Sequence, residues 1–109
     1  MSIALDITDS QTSDIIINGS NTKPVLVYFW ADWCAGCKSF SLTLEEIAGE
    51  LKDLITIVKM NIDDEPKFSQ MCMIRSLPTI LIFDKEEQVG TKISISSKAD
   101  FISFIKDSL

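Results

Sequence analysis

Cys34 and Cys37 stand three residues apart in FWADWCAGCKSF (29–40), just past an apolar run and just ahead of a helical pattern. Such a pair admits three chemistries: a dithiol–disulfide couple, half of a metal site, or two buried thiols that react with nothing. At i and i+3 on a helix, two side chains share a face with Cβ atoms about 5–6 Å apart. A small adjustment from there reaches disulfide geometry. A sulfur at the helix start meets backbone N–H groups without intrahelical partners and the positive end of the dipole. A sulfur one turn further in is more covered. That asymmetry casts Cys34 as the attacking atom and Cys37 as the resolving one.

Magnitudes limit what the helix end can do. A partly buried terminus favours an anion by up to about 2 kcal/mol, which moves a thiol from about 8.5 toward about 7. The thiolate fraction at pH 7 rises about 16-fold, and a Brønsted slope near 0.5 takes back roughly 5- to 6-fold as lost nucleophilicity. The net gain is about threefold. Substrate docking and a second thiol at high effective concentration must supply the rest.

A zinc or iron–sulfur centre needs about four soft or imidazole ligands. The chain has no His and one further cysteine, Cys72, so no metal is expected unless two chains share a cluster. Three cysteines also argue against a disulfide framework. Cys72 is read as a covered structural thiol, with a regulatory or intermolecular role as the sharper alternative.

The pair must be positioned by the elements around it. At 109 residues and 46% apolar content, the chain fits one domain, 1–109, with a real core. Its net charge is −6 and no run of Lys or Arg exceeds one residue, so nucleic acid and anionic membranes are not expected partners. Ile3, Leu5 and Ile7 alternate as a short strand, and TDSQ (8–11) opens a brief helix toward Asn18. PVLVYFW (24–30) is a strand buried on both faces, with Phe29 and Trp30 read as core. From Cys34 onward Phe40, Leu44, Ile47 and Leu51 form one helical stripe. Strands follow over 55–62, 79–83 and 89–95, the last nearer an edge, with a short helix beginning at Pro66. SSKAD (96–100) starts a final helix with Ser97 and Asp100 at capping-box spacing and Phe101, Phe104 and Ile105 facing the core. This order of elements makes an α/β domain.

FWADWCAGCK followed by VKMNIDDEP and IRSLPTILIF resembles the thioredoxin family, and the likeness runs from about Ile3 to the C-terminus. The resemblance implies a thioredoxin fold, α/β, with a central mixed five-stranded sheet flanked by four helices. It implies dithiol–disulfide exchange on protein disulfides, with Cys34 and Cys37 as the catalytic pair. Trp33, Ala35, Gly36, Leu77, Pro78 and Ser94 are the implied substrate-binding positions, with a cis bond before Pro78. Lys59 corresponds to the lysine below the active site.

Four positions depart from the family pattern. Ala35-Gly36 stands where Gly-Pro is usual, which loosens the first turn by up to about 1 kcal/mol and implies a shifted potential. Tyr28 stands where a buried aspartate usually manages the resolving thiol's proton, and a phenol of pKa about 10 is a poor base at pH 7. Leu42 replaces a kinking proline, so the helix is expected to run straighter. Ser94 replaces a glycine of the substrate groove.

The expected function is therefore reduction of protein disulfides with no cofactor beyond the Cys34–Cys37 disulfide. A thioredoxin reductase or equivalent donor must return the electrons, since no Gly-rich phosphate loop is present. The alternatives are a binding module with little turnover and a metal or cluster carrier. The first basic residue is Lys23, so no secretory or transit signal is read and a cytoplasmic location is expected.

Overall fold

The computed structural model describes residues 3–95 and 97–109. Ser96 of the expected helix-opening segment lies outside them. Five strands form one mixed sheet: β1 (Leu5–Asp6), β2 (Val25–Trp30), β3 (Thr56–Asn61), β4 (Thr79–Asp84) and β5 (Glu87–Ile93). Their spatial order is β1-β3-β2-β4-β5. β3 runs parallel to both β1 and β2, and β4 runs antiparallel to both β2 and β5.

β2 is central, and Val25 to Phe29 are all buried. Its alternate residues feed two apolar layers. Leu26 and Tyr28 join Leu44, Ile47, Phe101 and Ile105 on one face. Val25, Val27 and Phe29 join Ile7, Ile16, Met60 and Phe68 on the other. The near-continuous apolar run is what such double-sided burial requires. Trp30 departs from the expected core assignment: it is half-buried, and its indole N–H donates to Asp6 Oδ1 at 3.1 Å. An indole N–H at the strand's end needs an acceptor, and the rim of the sheet offers one.

Helices cover both faces: α1 (Ala35–Ser39), α2 (Ser41–Glu50), α3 (Pro66–Met71) and α4 (Lys98–Ser108). A further helical segment runs through a 3₁₀ turn (Asp9–Gln11), a π-helical stretch (Thr12–Asn18) and a second 3₁₀ turn (Gly19–Asn21). Among the described residues five helical bodies thus stand where four were expected, because the helix after Cys34 is broken at Phe40. The expected straight course fails although Leu42 is exposed and unconstrained by proline. Ser39 Oγ donates to the Gly36 carbonyl at 3.1 Å and Ser41 Oγ to the Lys38 carbonyl at 2.8 Å. Serine back-bonding of this kind competes with the ladder and bends helices. The Phe40 ring is stacked with Tyr28 and tilted against Phe101 at centroid distances of 6.3 and 5.1 Å.

The last hairpin starts earlier than its alternation suggests. Lys85 and Glu86 form a two-residue turn with φ of 53° and 69°. Positive φ at both central residues defines a type I′ hairpin, which normally carries Asn and Gly. Here the neighbouring segment holds it: the Ser20 carbonyl accepts the Lys85 N–H at 3.1 Å, and Ser20 Oγ accepts the Glu86 N–H at 2.8 Å.

Two of the expected helix starts, at Pro66 and after Ser97, are capped by different means. Ser97 Oγ accepts the Asp100 N–H at 3.1 Å. At α3 the caps come from far along the chain. Asp9 accepts the Lys67 and Phe68 N–H groups at 3.0 and 2.8 Å, while Glu65 accepts the Asp9 N–H at 2.7 Å. Asp9→Ala is expected to cost about 1 kcal/mol and lower the Tm by roughly 5 °C, measured by thermal unfolding followed by circular dichroism.

Candidate active site

Cys34 follows the end of β2 by four residues and is the N-cap of α1, with its backbone extended (φ −90°, ψ 99°). Its Sγ accepts the N–H of Cys37 at 3.2 Å. The two sulfurs are joined as a disulfide, with Cα atoms 5.3 Å apart. Cys34 is 8% exposed and Cys37 3%, so the expected difference in cover exists but is slim. Gly36 has nothing within 4 Å of where a Cβ would stand, so packing does not demand glycine there. Ala35 and Gly36 are both exposed beside the disulfide.

Trp33 is 66% exposed and is anchored by its indole N–H, which donates to Asp63 Oδ2 at 3.0 Å. Asp63 is in turn set by a turn in which Asn61 Oδ1 accepts the Asp63 N–H at 2.9 Å. The Leu77–Pro78 peptide is cis. Pro78 is buried, and Leu77 packs against the cluster that contains both cysteines. Ser94 donates its N–H to the Pro78 carbonyl at 3.0 Å, which joins the groove positions directly. Its φ of 81° is a left-handed conformation that glycine adopts readily and serine does not.

Tyr28 lies behind Cys37. It is 2% exposed, and its hydroxyl donates to the Cys37 carbonyl at 3.4 Å. Burial pushes the phenol's pKa well above its ordinary value, so it stays protonated at neutral pH. A cavity of about 130 Å³ lies under Cys37, with Tyr28, Trp30, Lys38, Ser41 and Lys59 among its walls. Lys59 Nζ is 3.7 Å from Asp6 Oδ2. Cys72 caps the end of α3, half-buried, and burial raises its thiol pKa, which makes it a weaker nucleophile.

The structure therefore brings Cys34, Cys37, Tyr28 and Lys59 together around one spot, and links Pro78 with Ser94. Two partners were not anticipated from the sequence. Asp63 was visible only as one of several acids opening a helix. Asp6 was visible only as the polar residue between Leu5 and Ile7. Among the described residues, no group of three or more His, Cys, Asp or Glu is placed to hold a metal. No helix among them is long and apolar enough to cross a membrane.

The thioredoxin family model matches residues 4–107. The chain is 38% identical over 104 residues to a thioredoxin of Rickettsia prowazekii, covering 95% of this chain and 97% of that one. It is 40% identical over 101 residues to a thioredoxin of Acidithiobacillus ferridurans, covering 93% and 91%. A thioredoxin of Pyropia yezoensis is 41% identical over 97 residues, 89% of each chain.

Ser94→Gly is expected to raise stability by roughly 1 kcal/mol, because glycine adopts the observed φ without a Cβ penalty. Chemical denaturation with an unchanged m-value and a higher midpoint is the signature.

Proposed function

Given that this chain belongs to the thioredoxin family and is a thiol–disulfide oxidoreductase of the protein-disulfide reductase type, we propose that Cys34 and Cys37 are its reacting pair. The observation that carries this assignment is the Cys37 N–H aimed at Cys34 Sγ across a pair already within bonding distance. A charge-assisted donor of that kind stabilises a sulfur anion at position 34. The Cys34 thiolate attacks a client disulfide, one client sulfur leaves, and a mixed disulfide forms. Cys37 then loses its proton and attacks Cys34 Sγ. The second client sulfur departs as a thiolate, takes a proton, and leaves the Cys34–Cys37 disulfide behind.

Trp33, Ala35, Gly36, Leu77, Pro78 and Ser94 form the docking rim in this reading. Trp33 is held upright by Asp63, and the Ser94–Pro78 hydrogen bond supports the groove wall. Tyr28 and Lys59 modulate the resolving sulfur from below. Family membership implies an electron donor and disulfide-bearing clients as partners. The finer reading is a thioredoxin reductase or equivalent donor, protein clients, a cytoplasmic setting and no cofactor, with residues 1–109 acting as one domain.

Cys37→Ser is expected to trap clients on Cys34 as stable mixed disulfides, recoverable on a non-reducing gel. Cys34→Ser is expected to trap none, and trapping by Cys34→Ser would overturn the assignment of roles. Tyr28 leaves no carboxylate to take the Cys37 proton, so breakdown of the mixed disulfide is expected to be slower than in family members with the aspartate. Tyr28→Asp should accelerate it at pH 7, and an unchanged rate in a folded variant counts against this.

A further inference from the structure

Asp6, Lys59 and Tyr28 occupy one transverse row of the sheet. Asp6 is paired with Lys59 across β1 and β3, and Lys59 with Tyr28 across β3 and β2. Directly opposed residues project from the same face of a sheet. For this row it is the face under α1 and α2, because Tyr28 packs in the cluster of Cys37, Phe40 and Leu44. The row ends at the cavity beneath Cys37.

Trp30 lines both that cavity and an acidic cleft that also has Asp6, Asp32, Asp64 and Glu65 on its walls, and so stands between them. The Asp6 carboxylate binds both members of the partition. Oδ1 accepts the Trp30 indole N–H at 3.1 Å, and Oδ2 lies 3.7 Å from Lys59 Nζ. The Lys59 side chain is 22% exposed against 56% for Asp6, so it is the more enclosed of the two side chains.

Titratable groups reach the cavity from α1, β2 and β3, while α2 contributes only Ser41 and Leu44. Lys38 comes from α1, but it is exposed and keeps its ammonium in water. Lys59 comes from β3 and is mostly covered. Tyr28 comes from β2 and stays neutral. The carboxylates of Asp6, Asp32, Asp64 and Glu65 sit beyond Trp30. Cys37 therefore faces one enclosed cation whose field is set by the carboxylate paired with it.

We propose that Asp6 is a positioning residue for the resolving step: by pairing with Lys59 it reduces the positive field that this ammonium places on Cys37, and so sets how readily Cys37 gives up its proton. This rests on the assignment of Cys37 as the resolving sulfur. In that step the Cys37 S–H bond breaks and its proton passes to solvent. The freed electron pair makes the bond to Cys34 Sγ, and the client sulfur leaves with the electrons of the broken mixed disulfide. A nearby ammonium favours the thiolate, and a carboxylate that screens it opposes this.

The test uses reduced full-length protein carrying Cys72→Ser, which removes the third thiol that would also release colour, mixed rapidly with dithiobis(nitrobenzoate). Attack by Cys34 releases the first equivalent of coloured thiol, and resolution by Cys37 releases the second. Lys59→Met is expected to move the pH midpoint of the second phase upward by about one unit, slowing it about tenfold at pH 7. Asp6→Asn is expected to move it downward by about half a unit, about threefold faster at pH 7, with the shift shrinking in about 1 M salt. Shifts of opposite sign are what charge produces; a merely structural role moves both variants the same way. An unmoved midpoint in Asp6→Asn, or an upward shift in both, overturns the proposal. Lys59→Gln replaces Lys59→Met if the latter does not fold. Cys37→Ser must release only the first equivalent; a second equivalent from that variant would overturn the assignment of Cys37 itself.

Discussion

A strand hydrogen-bonded along both edges and covered on both faces has no freedom of register, since a one-residue slip would send every side chain to the wrong layer. β2 is such a strand. β3 and β4 flank it, and its residues alternate between two apolar clusters. Its end is therefore fixed in space, and the reactive segment begins there. Cys34 caps α1 because the chain must leave a buried strand and start a helix within a few residues. The same register that puts Tyr28 under Cys37 puts Lys59 beside Tyr28 and Asp6 beside Lys59. The chemistry of the site is a consequence of strand pairing.

The broken helix shows which forces win nearby. The backbone ladder still passes through Phe40, whose N–H donates to the Gly36 carbonyl at 3.2 Å and whose carbonyl accepts the Leu44 N–H at 2.9 Å, so the interruption forfeits little backbone bonding. Burying the Phe40 ring contributes about 1.5–3 kcal/mol, and its two aromatic neighbours add about 0.5–1.5 kcal/mol apiece. Serine hydroxyls at 39 and 41 meanwhile donate to the Gly36 and Lys38 carbonyls in the turn before the break. Packing decides, and Phe40 links Tyr28 to Phe101 across the layer. The aromatic chain joins the region behind Cys37 to α4, so the site leans on the far end of the sequence.

Tyr28 gives this active site its particular electrostatics. A buried carboxylate there would be a proton acceptor and a charge needing partners. The phenol needs neither: its hydroxyl donates to the Cys37 carbonyl and its ring packs on Phe40. The charges that remain near the resolving sulfur are Lys38 on α1 and, along the sheet, Lys59 paired with Asp6. The family's usual chemistry is thus set in a wall where charge has moved sideways along the sheet.

Composition and order of elements determined the class of fold, and the apolar run of β2 with the helical stripe after Cys34 determined where sheet and helix meet. The Cys34–Cys37 spacing was legible because three residues on a helix bring sulfurs near each other whatever lies around them. The Ser97 cap was legible for the same reason, being local. The turn at Lys85–Glu86 and the left-handed Ser94 were not, because groups distant in the chain hold them. Ser20, 65 residues before the turn, holds its backbone, and no Asn-Gly signal marks it. Asp63 under Trp33 and Asp6 beside Lys59 were equally hidden. A sequence specifies local geometry through short-range hydrogen bonds and periodicity, whereas a partner 30 or 53 positions away exists only once strands have paired.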